Sequence, residues 1–140
     1  MCQLNEIYVT TTSYEVELVP LDDLIPHEDH DPEWVIELSD VIAGGSIWKV
    51  PIAAERSCKI VMDGHHRLAA ARRLCLRRIP TVFFKYDDAS VVLGSWRREA
   101  VTTDMIFKAG LNGVLLPRKT TRHVFSPTIG EIDLNLQALF

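Results

Sequence analysis

The stretch "VMDGHHRLAAARR" (61–73) constrains this chain more than any other. An apolar run leads into Asp63-Gly64, and an alanine-rich run follows at helical spacing, so the segment reads as strand, tight turn and helix. Glycine permits a turn that other residues resist. A helix opening there presents backbone N–H groups that lack internal partners and carry positive partial charge, a natural place for an anion. Arg67 in the first turn adds a planar fork suited to phosphate oxygens, and His65 and His66 can donate as well. The plain alternative, Asp63 capping the helix beside two solvated histidines, accounts for a lone Asp-Gly but not for such crowding. A zinc site is the weaker reading, because adjacent histidines rarely share a metal and no cysteine or spaced third histidine joins them.

Composition bounds the rest. Hydrophobic residues make up 47% of the 140 and charged residues 24%, ordinary for one soluble globular domain over residues 1–140. The net charge of −4 argues against a dedicated nucleic-acid binder, while Lys and Arg within 67–78 and 118–122 leave room for a local basic pocket. Cys2, Cys58 and Cys75 match no zinc spacing and suggest a reducing compartment. Cys75 falls in an apolar helical stretch and reads as a buried core thiol. The N-terminus lacks the pattern of a signal peptide, and no apolar run approaches the roughly 20 residues that span a membrane. A cytoplasmic protein with no membrane segment is expected; its oligomeric state stays open.

Alternation in "YEVELVP" (14–20) predicts a half-buried strand. After an acidic, turn-rich stretch, Asp31 reads as an N-cap with Pro32 at the first helical position. Trp34, Val35, Leu38, Val41 and Ile42 recur at helical spacing, and Gly44-Gly45 ends that helix. Residues 49–55 and 59–64 read as two short strands, 66–76 as a helix, and "IPTVFFKY" as another strand. A last helix is expected over Asp104–Ala109, stopped by Gly110, with a tail of loop and short strand. The class is α+β, a small mixed sheet with packed helices.

"LIPHE" (24–28), a helix, "VPIAAE" and then "IVMDGHHRLAAARRLCLRRIPTV" together resemble the ParB/sulfiredoxin superfamily. Within it, DGHHR with upstream "PHE" and downstream "PRKTTRH" resembles the free L-serine kinases, including siderophore-pathway and archaeal members. The likeness covers roughly residues 14–125. It implies a compact ParB/sulfiredoxin-like mixed sheet, a strand-turn-helix phosphate site, and transfer of phosphate from ATP or ADP to the hydroxyl of free L-serine. In two respects the chain departs from the family. Only residues 97–120 separate Trp96 from Thr121, where family enzymes are much longer, and the usual "PPKTTRH" is "PRKTTRH", which adds a charge at Arg118.

The resemblance implies roles residue by residue. Glu28 matches the catalytic glutamate, which would accept the proton of a serine hydroxyl that is a poor nucleophile by itself. His27 would orient Glu28 or contact phosphate. Gly64, His65, His66, Arg67 and Lys119 would hold the nucleotide phosphates. Asp63 is the candidate for magnesium, directly or through water, since magnesium commonly takes one or two carboxylates and keeps its waters. Thr121, Arg122 and His123 would bind the carboxylate or transferring phosphate of the amino acid, and Trp96 matches a pocket tryptophan. Asp29, His30 and Asp31 read as solvated or capping, and Arg97 and Arg98 as a solvated pair.

Three rivals remain. A ParB-like DNA-binding protein would need a helix-turn-helix region and a basic face. A sulfiredoxin-like repair enzyme needs a cysteine where this turn has histidine. A nucleotide-binding regulator with little catalysis is the main alternative. Sequence does not choose ATP or ADP, nor serine over threonine or homoserine.

Overall fold

Alternation at 14–20 becomes a strand with Val16, Leu18 and Val19 buried. A computed structural model describes the backbone of residues 7–10 and all of 13–140, so Cys2 lies outside the described residues. In chain order the elements are β1 (Ile7–Thr10), β2 (Glu15–Pro20), a 3-10 turn (Leu21–Asp23), α1 (Pro32–Gly45), β3 (Ile47–Trp48), β4 (Ile52–Glu55) and β5 (Val61–Asp63). Then follow α2 (His65–Arg73), β6 (Arg78–Phe84), β7 (Val91–Ser95), α3 (Thr103–Asn112), β8 (Thr121–Phe125), β9 (Leu134–Asn135) and a closing 3-10 turn.

One mixed sheet runs β1-β2-β6-β4-β5, with two-stranded ribbons β3-β9 and β7-β8 beside it. Within the large sheet only β4 and β6 pair in parallel. That pairing needs a crossover, which the hairpin return through β5 and the helix α2 together provide. The sheet strands carry Ile52, Ala53, Ala54, Val61, Ile79 and Val82 into a core that Leu68 and Ala71 of α2 cover. This is the expected α+β class. Among the described residues no helix is long and apolar enough to cross a membrane.

The start of α1 follows its sequence: the Asp31 carboxylate accepts from the Glu33 N–H at 3.0 Å, and Pro32 opens the helix. Its buried face is narrower than the spacing predicts. Val35 and Ser39 are buried, but Trp34 is half exposed and Val41 is 70% exposed. Cys75 is not a core thiol. It is exposed just past α2 with φ +60°, because the chain must turn out of the helix there toward β6. Gly110 does not stop α3 either. It sits inside the helix against Ile60, where an added Cβ would lie 3.0 Å from Ile60 Cδ1, and the left-handed Gly113 ends the helix instead. β8 is a short strand of the tail, and it pairs with β7, which lies in a stretch that the sequence reading assigns to no element.

Candidate active site

Gly64 makes the turn possible twice over. Its φ of +116° favours glycine, and a Cβ there would stand 2.5 Å from Ile52 Cγ2. Asp63 does not cap α2. Its carboxylate pairs with Arg67 Nη2 at 3.3 Å across one helical turn, and no side chain caps the helix. Among the described residues, the N–H groups of His65, His66 and Arg67 therefore have no partner.

The side chains of the turn are used inward. His65 Nε2 accepts from the His27 N–H at 3.1 Å, and His66 Nε2 accepts from the Asp31 N–H at 3.0 Å. Two neighbouring histidines thus pin the two ends of the 27–31 loop to the start of α2. An Nε2 that accepts places the ring hydrogen on Nδ1 while the ring is neutral. Burial keeps His65 well below the usual imidazole range, with nearby His27 adding to the effect. His66 is lowered by burial and then by His30. Arg67 Nη1 donates to the carbonyls of Val50 (3.1 Å) and Pro51 (2.8 Å), fastening the segment before β4.

Glu28 sits on the pinned loop, and its neighbour Asp29 donates its N–H to the Leu116 carbonyl at 2.9 Å. Its carboxylate is held from the other side by the chain at 119–121. Oε2 accepts from the Lys119 N–H at 3.1 Å, and Oε1 accepts from the Thr121 N–H at 2.9 Å and the Thr121 hydroxyl at 2.8 Å. Lys119 takes a left-handed φ of +58° to aim that N–H. Thr121 is buried between Glu28 and His27. The Lys119 and Arg122 side chains are exposed and pair with no carboxylate among the described residues. Arg122 lies 4.7 Å over the ring of Trp96, which is 61% exposed.

His27, expected to orient Glu28 or contact phosphate, is fully buried behind Glu28. Its Nδ1 meets the Val61 carbonyl at 2.6 Å, and its Nε2 lies 3.0 Å from the Thr121 hydroxyl. Burial lowers it against the opposite pull of Glu28. His123 Nε2 bonds the Tyr86 hydroxyl at 2.8 Å, and burial, then His27, lowers it to about 3. Arg97 and Arg98 are exposed, as a solvated pair would be, and Arg97 also donates to the Arg118 carbonyl at 3.0 Å, while Arg118 pairs with Asp31 at 3.6 Å.

One open pocket of about 690 Å³ brings these groups together. The turn contributes Asp63, Gly64, His65, His66 and Arg67 to its lining, and the facing segments contribute Trp96, Lys119, Thr121, Arg122 and His123. Glu28 lies between them, bonded to Lys119 and Thr121. Trp34 and Leu38 of α1 and the Val50-Pro51 segment complete the wall. Sequence gave no signal for these last, since apolar residues on a helix read as core. Among the described residues no group of three or more His, Cys, Asp or Glu is placed to hold a metal. Asp63, paired with Arg67 at 3.3 Å, is the carboxylate that the turn contributes to the pocket lining.

No family model matches the chain. It is 30% identical over 98 residues to an ATP-dependent L-serine kinase of Staphylothermus marinus, covering 67% of this chain and 39% of that protein. A ParB-like protein of Sulfolobus acidocaldarius is 30% identical over 87 residues, covering 62% and 43%. An ADP-dependent L-serine kinase of Thermococcus kodakarensis is 27% identical over 92 residues, covering 63% and 38%. The chain thus spans about two fifths of the length of these relatives. Among solved structures, a free serine kinase in complex with AMP superposes with a TM-score of 0.84 at 16% identity, covering 94% of this chain and 96% of that one. SbnI of Staphylococcus aureus, truncated at its C-terminus, gives 0.78 at 14% identity, covering 89% and 88%. These two likenesses establish a shared fold.

Proposed function

We propose, for a chain related in sequence to archaeal L-serine kinases and ParB-like proteins and sharing the fold of free serine kinases, that it moves a phosphoryl group from ATP or ADP to free L-serine. The observation that carries this reading is the placing of Glu28 in one pocket with the open start of α2. A proton acceptor and an anion cradle facing one space are what hydroxyl phosphorylation needs.

The reading assigns each half of the pocket its own task. The leaving phosphates rest on the N–H groups of His65, His66 and Arg67, where the helix dipole favours negative charge. The Nδ1–H that each pinned, neutral histidine retains and the remaining donors of Arg67 add to this set. Lys119 neutralises the nucleotide from the facing wall. Arg122 and His123 bind the amino acid's carboxylate or the phosphate in transit, and Trp96 backs Arg122. Thr121, expected to touch substrate, lines the pocket and also holds Glu28. Glu28 takes the serine proton as the oxygen–phosphorus bond forms, and the product is O-phospho-L-serine. When bound, magnesium would neutralise phosphate charge beside Asp63.

The test is a phosphorus NMR assay with ATP or ADP, magnesium and a panel of free amino acids including serine, threonine and homoserine. O-phosphoserine is expected with one of the two nucleotides. Nucleotide binding without transfer to any amino acid would replace the kinase by a nucleotide-binding regulator.

A further inference from the structure

Behind Glu28 the hydrogen bonds contain one hydrogen for two acceptors. The Thr121 hydroxyl lies 2.8 Å from Glu28 Oε1 and 3.0 Å from His27 Nε2. The Val61 carbonyl can only accept, so His27 Nδ1 carries a hydrogen and points it there. A neutral His27 then offers the lone pair of Nε2 to Thr121. While Glu28 is a carboxylate it takes the hydroxyl hydrogen, and Nε2 is left as a buried acceptor without a donor, a costly state. Charging His27 would remove the conflict, but the ring is fully buried, and its burial opposes the cation. The groups facing it are Glu28 on its own loop, His65 of α2 at 4.5 Å between ring centres, and Thr121 with His123 of β8 at 6.0 Å.

We propose that the Thr121 hydroxyl is a hydrogen switch that makes His27 a partner of the proton-accepting glutamate. It donates to Glu28 when Glu28 is ionised, and it turns to His27 Nε2 when Glu28 has taken the substrate's proton. In the transfer step the substrate O–H bond breaks and its proton joins the Glu28 carboxylate. The substrate oxygen–phosphorus bond forms as the bond from phosphorus to the leaving nucleotide breaks. The Thr121 O–H bond stays intact and only changes direction. His27 and Thr121 are thus positioning residues, and arrival of the proton relieves an unpaired acceptor beneath the site.

This rests on the reading of Glu28 as the base, yet it can be tested without turnover. In protein labelled with ¹⁵N-histidine and ¹³C-glutamate, the His27 Nε2 and Glu28 carboxyl resonances should titrate with a common midpoint. Thr121→Val should abolish the Nε2 response, and Thr121→Ser should restore it. A His27 Nε2 that ignores the Glu28 titration in the parent protein overturns the switch, whether or not serine is phosphorylated. A common midpoint in a protein with no kinase activity leaves the switch standing and removes the kinase reading. In kinetics, His27→Asn keeps a donor for Val61 but drops the distant acceptor. It should move the acid limb of the kcat/KM profile to lower pH, by an amount lost when Thr121→Val is already present. A fall in kcat with the limb unmoved would reduce His27 to packing and overturn the proposal.

Discussion

The two halves of the pocket use the chain in opposite ways. In the turn at 64–67 the side chains are turned inward: His65 holds His27, His66 holds Asp31, and Arg67 holds Val50 and Pro51. What the turn leaves open is backbone. At 119–123 the reverse applies. The backbone N–H groups of Lys119 and Thr121 hold Glu28, and the side chains of Lys119 and Arg122 are left open. A backbone cradle reads charge and shape at fixed positions, which suits phosphates that are alike in every nucleotide. An open cationic side chain on a short strand, as Arg122 is, can be exchanged without disturbing the fold, which suits the group that distinguishes one acceptor from another.

Glu28 lies where the two halves meet, so its replacement should have the largest effect. Glu28→Gln keeps the size of the side chain but cannot take a proton at neutral pH. A positioned base contributes about 10²–10⁴-fold, and turnover should fall by that order while nucleotide affinity measured by calorimetry stays near the parent's. A parallel loss of affinity would mean that the carboxylate supports the phosphate cradle, and the division into halves would fail. Next in size is Arg122→Ala, which tests the side-chain half alone. Losing hydrogen bonds to a charged group costs about 1.5–3 kcal/mol, roughly a 10- to 150-fold rise in the KM for serine. The KM for nucleotide should hardly move. A reversed pattern would put Arg122 on the phosphates.

How much of this was legible in the sequence follows the range of each interaction. The turn at Gly64 was legible because its requirements are local: a glycine, a preceding apolar run and a helix-forming run after it. The capped start of α1 was legible for the same reason. The clamp on Glu28 was not. It joins segments far apart in the chain, and two of its three donors are backbone N–H groups, which carry no residue-type signal. The resemblance gives Thr121 as a substrate contact, and its hold on Glu28 is visible only in the fold. Likewise Gly110 reads as a helix stop until Ile60 is seen against it, and Cys75 reads as core until the chain is seen to turn there. The inward use of His65 and His66 was hidden because histidine serves equally as ligand and as splint.

The imidazoles that join the halves make a prediction for stability. His123 binds its proton only near pH 3 in the fold and near 6.5 when unfolded. Below 6.5 the unfolded chain binds the extra proton, so stability is full above that pH and falls as pH is lowered toward 3. His27 and His65 act in the same direction. Each unit of difference is worth about 1.4 kcal/mol, so His123 alone should cost roughly 2 kcal/mol between pH 7 and pH 5. Urea midpoints at the two pH values check this, and His123→Asn should flatten the dependence. A midpoint that rises on acidification would mean that the buried rings gain protons on folding.

The smallest effect should come from His66→Ala, and it separates backbone from side chain most finely. In the structure the ring accepts from the Asp31 N–H, at the residue that caps α1. Removing it deletes one hydrogen bond whose donor can reach water, worth about 1 kcal/mol of unfolding free energy. The N–H groups at the start of α2 do not depend on that ring. Nucleotide affinity should therefore weaken by only about threefold, the Nδ1–H being one neutral donor among several charged or dipolar ones. Chemical denaturation and calorimetry on the same preparation measure both quantities. Unchanged stability with affinity weakened by well over tenfold would show that the ring, not the helix start, carries the phosphates. The turn would then work as the facing strand does, through its side chains, and the contrast between the two halves would be gone.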